Sequence, residues 1–263
     1  MPRGPELVTA LVPVSLAGGP AAALRLLAAP ALGAVEIARP PLDDLPYRDF
    51  VRTLLGRQGF KLDFNRMTPD EALALVSDQL LGPGAFRQER GLLASDIAEL
   101  ADFAAGLVGG VRPSISVRTL FAPGDLVWHL DRLSEPSAFR LLWPLGRPGG
   151  MRFTPADNVD AGMHRAYMRR EHPLLCQLDA RVLRAGADVE TLWAHRPVQL
   201  EAMTTGRYPF LRDPDLEVAV HPDAASIHRV ETGSQPGTYH RSSWANRRAP
   251  GFQIVITAAS GPA

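Results

Sequence analysis

The sequence holds one cysteine, one lysine and no net charge, and each scarcity removes a class of explanation. Cys176 alone cannot close an internal disulfide, so a reducing compartment is expected. It sits in Pro173-Leu174-Leu175-Cys176-Gln177-Leu178, which reads as a buried helical face, where a cysteine behaves as a small hydrophobe. A paired-cysteine zinc signature is ruled out with it. Lys61 is the only lysine, so positive charge is almost all arginine, and a bound anion would meet a planar guanidinium. Lys+Arg 28 and Asp+Glu 28 cancel, without the basic excess of a general nucleic-acid or membrane-surface binder. Long apolar runs are also missing. Residues 7–38 are Ala-rich, but Gly18, Gly19, Pro20, Pro30 and Gly33 interrupt them before they could span a bilayer. Arg3 before an apolar stretch mimics a secretory leader, yet Glu6 breaks it and the lone cysteine does not fit export, so the expectation is cytoplasmic. There is no Gly-x-Ser-x-Gly elbow and no glycine-rich phosphate loop, which argues against a serine hydrolase and a nucleotide enzyme.

What is present falls into an order. Residues 1–32 read as a loosely held leader with a short helix around Ala21–Ala28. Val35–Arg39 alternates like a strand, Leu45–Leu55 is helical, and Phe60–Phe64 alternates again. Thr68-Pro69-Asp70-Glu71 spells a capping box with proline at the first helical position, and predicts a helix to about Leu81, before Gly82-Pro83-Gly84. A second helix is predicted over Glu89–Val108. Strand texture follows at Ser114–Leu120, Leu126–Leu133, Phe139–Trp143 and Met151–Thr154, and returns at Leu216–Val220, Ile227–Val230, Gly237–Ser242 and Phe252–Thr257. Between these blocks, about 160–205 reads as a helical insert carrying His164, His172 and His195, either a cap over a barrel mouth or a surface decoration. The fold class expected is α+β. One domain over 1–263 would comprise a mainly helical part (1–110) and a jelly-roll or cupin-like double-stranded β-helix core (111–263).

The chemistry centres on Trp128-His129-Leu130-Asp131-Arg132. On an extended strand, residues two apart point the same way, so His129 and Asp131 offer an imidazole and a carboxylate to one side. A later histidine would complete a 2-His-1-carboxylate triad, which leaves positions open on iron(II). His221-Pro222-Asp223 has the same form, but His228 and His240 follow it too closely for intervening strands. His228 and His240 compete as third ligand; we favour His240, with His228 then a pocket or core histidine. Trp128 and Tyr239, each beside a proposed ligand, should face the core.

Several stretches together carry a resemblance: Leu93–Ile97 with Phe103-Ala104, Arg118, Trp128–Arg132, Phe139–Leu142, and Tyr239-His240-Arg241-Ser242-Ser243. They resemble the bacterial domain of unknown function family 1826, whose members show an aromatic-His-x-Asp-Arg motif and a late His-Arg-Ser-Pro motif. The match covers under half of the chain. Ser243 replaces the motif's proline, and residues 155–212 look like additional material. Separately, the order His-x-Asp, distal His, then Arg is similar to iron(II)/2-oxoglutarate oxygenases. That similarity implies Fe(2+) held by His129, Asp131 and His240, 2-oxoglutarate as co-substrate, and an arginine gripping its far carboxylate. Arg248 is preferred for that grip, with Arg241 as the fallback. Arg118 and Arg140 lie on neighbouring strands and, if inward, need a carboxylate partner. The expected activity is hydroxylation or a related C–H oxidation of a small molecule. Two other outcomes are a cupin-like metalloenzyme that uses no 2-oxoglutarate and a non-catalytic metal- or small-molecule-binding β-barrel.

Overall fold

Alternation along four central strands decides the layering. In the computed structural model these are Ser114–Arg118 (β4), Ala138–Leu145 (β5), Ala225–Arg229 (β8) and Phe252–Ala259 (β10). Ile115, Val117, Phe139, Leu141, Trp143, Ala225, Ile227, Phe252, Ile254 and Ile256 all enter one buried apolar cluster. Of the residues between them, Ser116, Arg118, Arg140, Ser226, His228, Gln253 and Thr257 are polar, Leu142 and Val255 are apolar, and all face the other way. One face of this sheet is therefore built to exclude water, and the other to hold chemistry. The structure describes residues 11–28, 32–56, 61–64, 67–119, 123–146, 149–185, 194, 196–243 and 251–260.

Three short strands extend the sheet: Pro13–Val14 (β1), Ala34–Ile37 (β2) and Lys61–Asp63 (β3). The order is β1-β2-β8-β5-β10-β4-β3; β1 and β2 run parallel and every other pair is antiparallel. A second sheet has Val218–Ala219 (β7), Met151–Thr154 (β6) and Tyr239–Ser242 (β9), in the order β7-β6-β9.

The apolar face is covered by Gly19–Leu27 (α1), Arg48–Leu55 (α2), Pro69–Leu81 (α3) and Arg87–Gly106 (α4), which supply Leu27, Phe50, Leu73, Leu93, Ile97 and Leu100 to the same cluster. Burying each such side chain contributes on the order of 1.5–3 kcal/mol. The capping box forms as predicted: the Glu71 N–H donates to Thr68 Oγ1 at 3.3 Å, and the Thr68 N–H donates to Glu71 Oε2 at 2.8 Å. The Thr68 N–H, helped by the Thr68 hydroxyl donating to the same oxygen at 2.9 Å, holds the exposed Glu71 carboxyl below its usual range. Gly82 ends α3 at φ 98, a backbone angle that favours glycine.

Several expectations change. The leader is not loose where it is described: β1 pairs with β2, and Leu11 and Val14 are buried; residues 1–10 lie outside the described residues. The N-terminal part supplies α1–α4 and, beside these helices, β1, β2 and β3 to the large sheet. Residues 126–133 do not form a continuous strand. Pro123–Leu126 is a 3-10 turn, and the rest makes isolated bridges, His129 to His240 and Arg132 to Glu231. The expected strand at Leu216–Val220 shrinks to β7. The insert forms Ala161–Ala185 (α5, with Pro173 inside it) and Pro197–Thr205 (α6). It is no surface decoration, since Tyr167, Leu175, Ala202 and Met203 build a second core with Leu126, Val127, Trp128 and Tyr239. Among the described residues, no helix is long and apolar enough to cross a membrane.

Candidate metal centre

A cavity of about 440 Å³ lies between the two sheets. Arg118, Arg140, Gln253 and Thr257 line it from the large sheet, Met151, His240 and Ser242 from the small one, and His129 and Asp131 from the segment between. That segment is fixed by backbone. The His129 N–H donates to the His240 carbonyl at 3.0 Å, and the His240 N–H returns the bond to the His129 carbonyl at 3.1 Å. The Glu231 N–H then donates to the Asp131 carbonyl at 2.8 Å. Reciprocal bonds of this kind set two residues directly opposite each other on an antiparallel pair. The two imidazole centroids are 4.3 Å apart. Asp131, two residues on, points to the same side although the strand is minimal.

Each histidine is oriented by its own backbone. Nδ1 of His129 lies 2.7 Å from the Val127 carbonyl, and Nδ1 of His240 lies 3.1 Å from the Thr238 carbonyl. A carbonyl only accepts, so each Nδ1 carries the proton and each Nε2 presents a lone pair. Ring nitrogens fixed by a backbone carbonyl are the usual support of metal-binding histidines. Nε2 of His240 faces Asp131 Oδ2 at 3.5 Å. A cation placed between them would be held by both. One ligand atom from each of His129, Asp131 and His240 lies within 4.8 Å of the other two. No other such group of His, Cys, Asp and Glu occurs among the described residues.

Asp131 is gripped on both oxygens. Arg140 Nη1 pairs with Oδ1, and His228 Nε2 donates to Oδ2 at 3.1 Å. Burial pushes this carboxyl up, but the attraction of His240, the His228 hydrogen bond and the Arg140 guanidinium outweigh it and hold the group well below the usual carboxylate range. Burial also lowers His240 far below the ordinary imidazole value, helped by the neighbouring His228 and His129. His228 is lowered chiefly by burial, against its bond to Asp131. Burial thus works against a proton on His240 and His228, and a metal takes an imidazole in its unprotonated form.

The expected residues separate clearly. His129, Asp131 and His240 come together, while His228 stands behind Asp131, fully buried. Arg118 and Arg140 both face the cavity, and Arg118 donates to Gln253 Oε1 at 2.6 Å and meets Asp125 at 3.4 Å. Arg241 does not fit its expected role of gripping a co-substrate. It follows His240 by one residue on β9 and so points to the opposite side. There it bonds Glu217 at 3.0 Å and lies 5.3 Å from the Trp128 ring centroid, and a Cβ on Gly206 would collide with it. Arg247 and Arg248, His195, and the side chains of His172 and Cys176 lie outside the described residues.

Trp128 and Tyr239 are core, as expected. His164 of the insert sits under the site segment, its Nε2 2.9 Å from the Trp128 carbonyl and its ring edge-on to Phe210 and Tyr239. Sequence reasoning missed Gln253, Asp125 and Thr257. The available signal was the polar Gln253 and Thr257 in the otherwise apolar alternation of β10.

No family model matches the chain, so the resemblance to family 1826 finds no support there. Nor does any curated protein match it. Solved structures similar in chain layout include AtDAO1, dioxygenase for auxin oxidation 1 from Arabidopsis thaliana, in a 2-oxoglutarate binary complex. It is 13% identical, with 96% of this chain and 93% of that one covered at a TM-score of 0.44. The rice dioxygenase for auxin oxidation is 12% identical, covering 96% and 83%, at 0.47. AviO1 from Streptomyces viridochromogenes Tue57 is 17% identical, covering 92% and 97%, at 0.38. Similarities this low do not speak to chemistry, which the side chains must supply.

Proposed function

We propose that this protein is a non-haem iron(II)/2-oxoglutarate-dependent oxygenase acting on a small molecule, and that its two facing sheets form a double-stranded β-helix. The observation that carries this is the convergence of two carbonyl-anchored imidazoles and one ion-paired carboxylate within 4.8 Å on the wall of a polar cavity. Three protein donors on one side leave open positions, which a closed structural site would not. When bound, iron(II) with 2-oxoglutarate and O2 supplies the oxidising power to convert C–H to C–OH, releasing succinate and CO2.

The chain's own residues supply the rest. His129, Asp131 and His240 would hold the metal as neutral, anionic and neutral donors. A cavity of about 440 Å³ falls in the range that holds small ligands. Arg118 points a guanidinium into it, fixed through Gln253 and Asp125, and suits a terminal carboxylate. Arg248 remains the other candidate for that grip. Arg140 is committed to Asp131, and its task is at the ligand.

A second reading has support of its own. Arg118 already meets Asp125, so its charge is partly answered without a co-substrate. That favours a cupin-like metalloenzyme that uses no 2-oxoglutarate. Anaerobic iron(II) titration with and without 2-oxoglutarate separates the two. The oxygenase gives a weak visible charge-transfer band only when both are present, and the band vanishes in His129→Ala. Stoichiometric iron without the band supports the cupin-like reading, and absence of stoichiometric iron removes both.

A further inference from the structure

We propose that His228 and Arg140 are positioning residues that clamp Asp131 from behind, so that its carboxylate meets a metal through a single oxygen. This rests on the metal-centre reading above and goes beyond it.

The geometry is two-sided. Arg140 sits on β5 directly across from His228 on β8, so both side chains leave the same face of the large sheet at neighbouring positions. Between them they occupy both Asp131 oxygens, Arg140 at Oδ1 and His228 at Oδ2. Arg140 is itself braced, its Nε donating to Thr257 Oγ1 at 3.2 Å. His228 is fully buried, and its ring lies 4.2 Å from the His240 ring and 5.6 Å from Phe153, which fixes the imidazole plane. Among the described residues Nδ1 of His228 has no hydrogen-bond partner, and the ring's polar contact there is the bond to Asp131. A buried imidazole with one unsatisfied nitrogen is costly to keep, so its one bond must matter.

That bond has a chemical consequence. A carboxylate free to rotate can chelate a metal through both oxygens and consume a position needed by other ligands. With Oδ1 tied to a guanidinium, only Oδ2 is left to face His240 and the cavity. The clamp would preserve an open coordination position and draw negative charge away from the ligand oxygen.

The test uses cobalt(II) as an oxygen-stable probe, titrated into the full chain while its visible ligand-field bands are followed. The variants are His228→Leu, His228→Gln and Arg140→Met. Gln keeps an N–H donor near the position of Nε2, whereas Leu and Met keep volume without a donor. Loss of either donor is expected to weaken cobalt binding by about tenfold or more, the usual effect of removing a ligand's supporting partner. Arg140→Met should also dim the bands, as the freed Oδ1 can join Oδ2 on the metal and raise the coordination number. His228→Gln should stay close to the parent in both. Unchanged affinity and unchanged bands in His228→Leu and Arg140→Met would overturn the clamp and leave the metal centre standing. If the parent protein binds no stoichiometric cobalt, the metal centre falls and the clamp with it. If His228→Leu does not fold, Arg140→Met decides alone, since its side chain reaches the cavity and is 25% exposed.

Discussion

His129-Leu130-Asp131 and His221-Pro222-Asp223 spell the same pattern and end in opposite environments. The first is held extended by reciprocal backbone bonds to His240, and its two side chains converge on the cavity. In the second, Asp223 takes a left-handed φ of 63, which breaks the alternation. Its carboxylate accepts from the Leu42 and Gly146 N–H groups at 3.1 and 2.9 Å. The His221 side chain is 83% exposed and meets Glu36 at 2.8 Å. A His-x-Asp triplet is thus defined by its backbone and by what faces it. One pair of residues gathers chemistry, while the other ties a turn to the large sheet.

Substitution should separate the two. Asp131→Ala is expected to abolish iron binding, read as metal retained after desalting, and with it any turnover. Asp223→Ala should leave iron binding intact and lower the unfolding free energy from urea titration by about 2–4 kcal/mol, from two lost bonds to a charged acceptor and a strained backbone. Asp223→Gly should recover about 1 kcal/mol of that, because glycine adopts the left-handed angle freely. If both aspartates affect iron alike, the contrast fails.

A smaller effect should come from beneath the first triplet. Burial lowers His164 below 6.5 in the fold, while its Nε2 holds the Trp128 carbonyl. As pH falls below 6.5, the unfolded chain takes up a proton there that the folded chain refuses, so stability drops. Melting of the metal-free protein should therefore fall between pH 7.5 and 5.5, with this residue's share below about 1.4 kcal/mol per pH unit. His164→Gln should flatten the slope; an unchanged slope would remove His164 as a cause. The smallest effect is expected from His221→Ala: under about 1 kcal/mol in the unfolding free energy from urea titration, as for exposed charged pairs, and no change in iron.

The sequence was legible where its signals are local. The capping box, the alternation of β4, β5 and β10, and the spacing of His129 and Asp131 all follow from neighbours along the chain. The pairing of β1 and β2 beside β8 was not: two residues of β1 carry no periodicity, and β2, which Val35–Arg39 does spell as a strand, has its partner far away in sequence. The clamp on Asp131 was equally hidden, since Arg140 and His228 gain their meaning only where β5 and β8 meet. Arg241 was assigned from motif order, yet the period-two rule that pairs His129 with Asp131 turns Arg241 away from His240's side.

The reciprocal bonds between His129 and His240 also bear on timing. One donor lies in the middle of the sequence and the other beyond the helical insert, so the centre cannot exist until β9 has docked. Contacts this far apart in sequence form late, after the loop entropy of the intervening chain has been overcome. A growing polypeptide on the ribosome would carry no complete form of the proposed metal centre, and capture of a metal there would report that β9 has met the His129 segment.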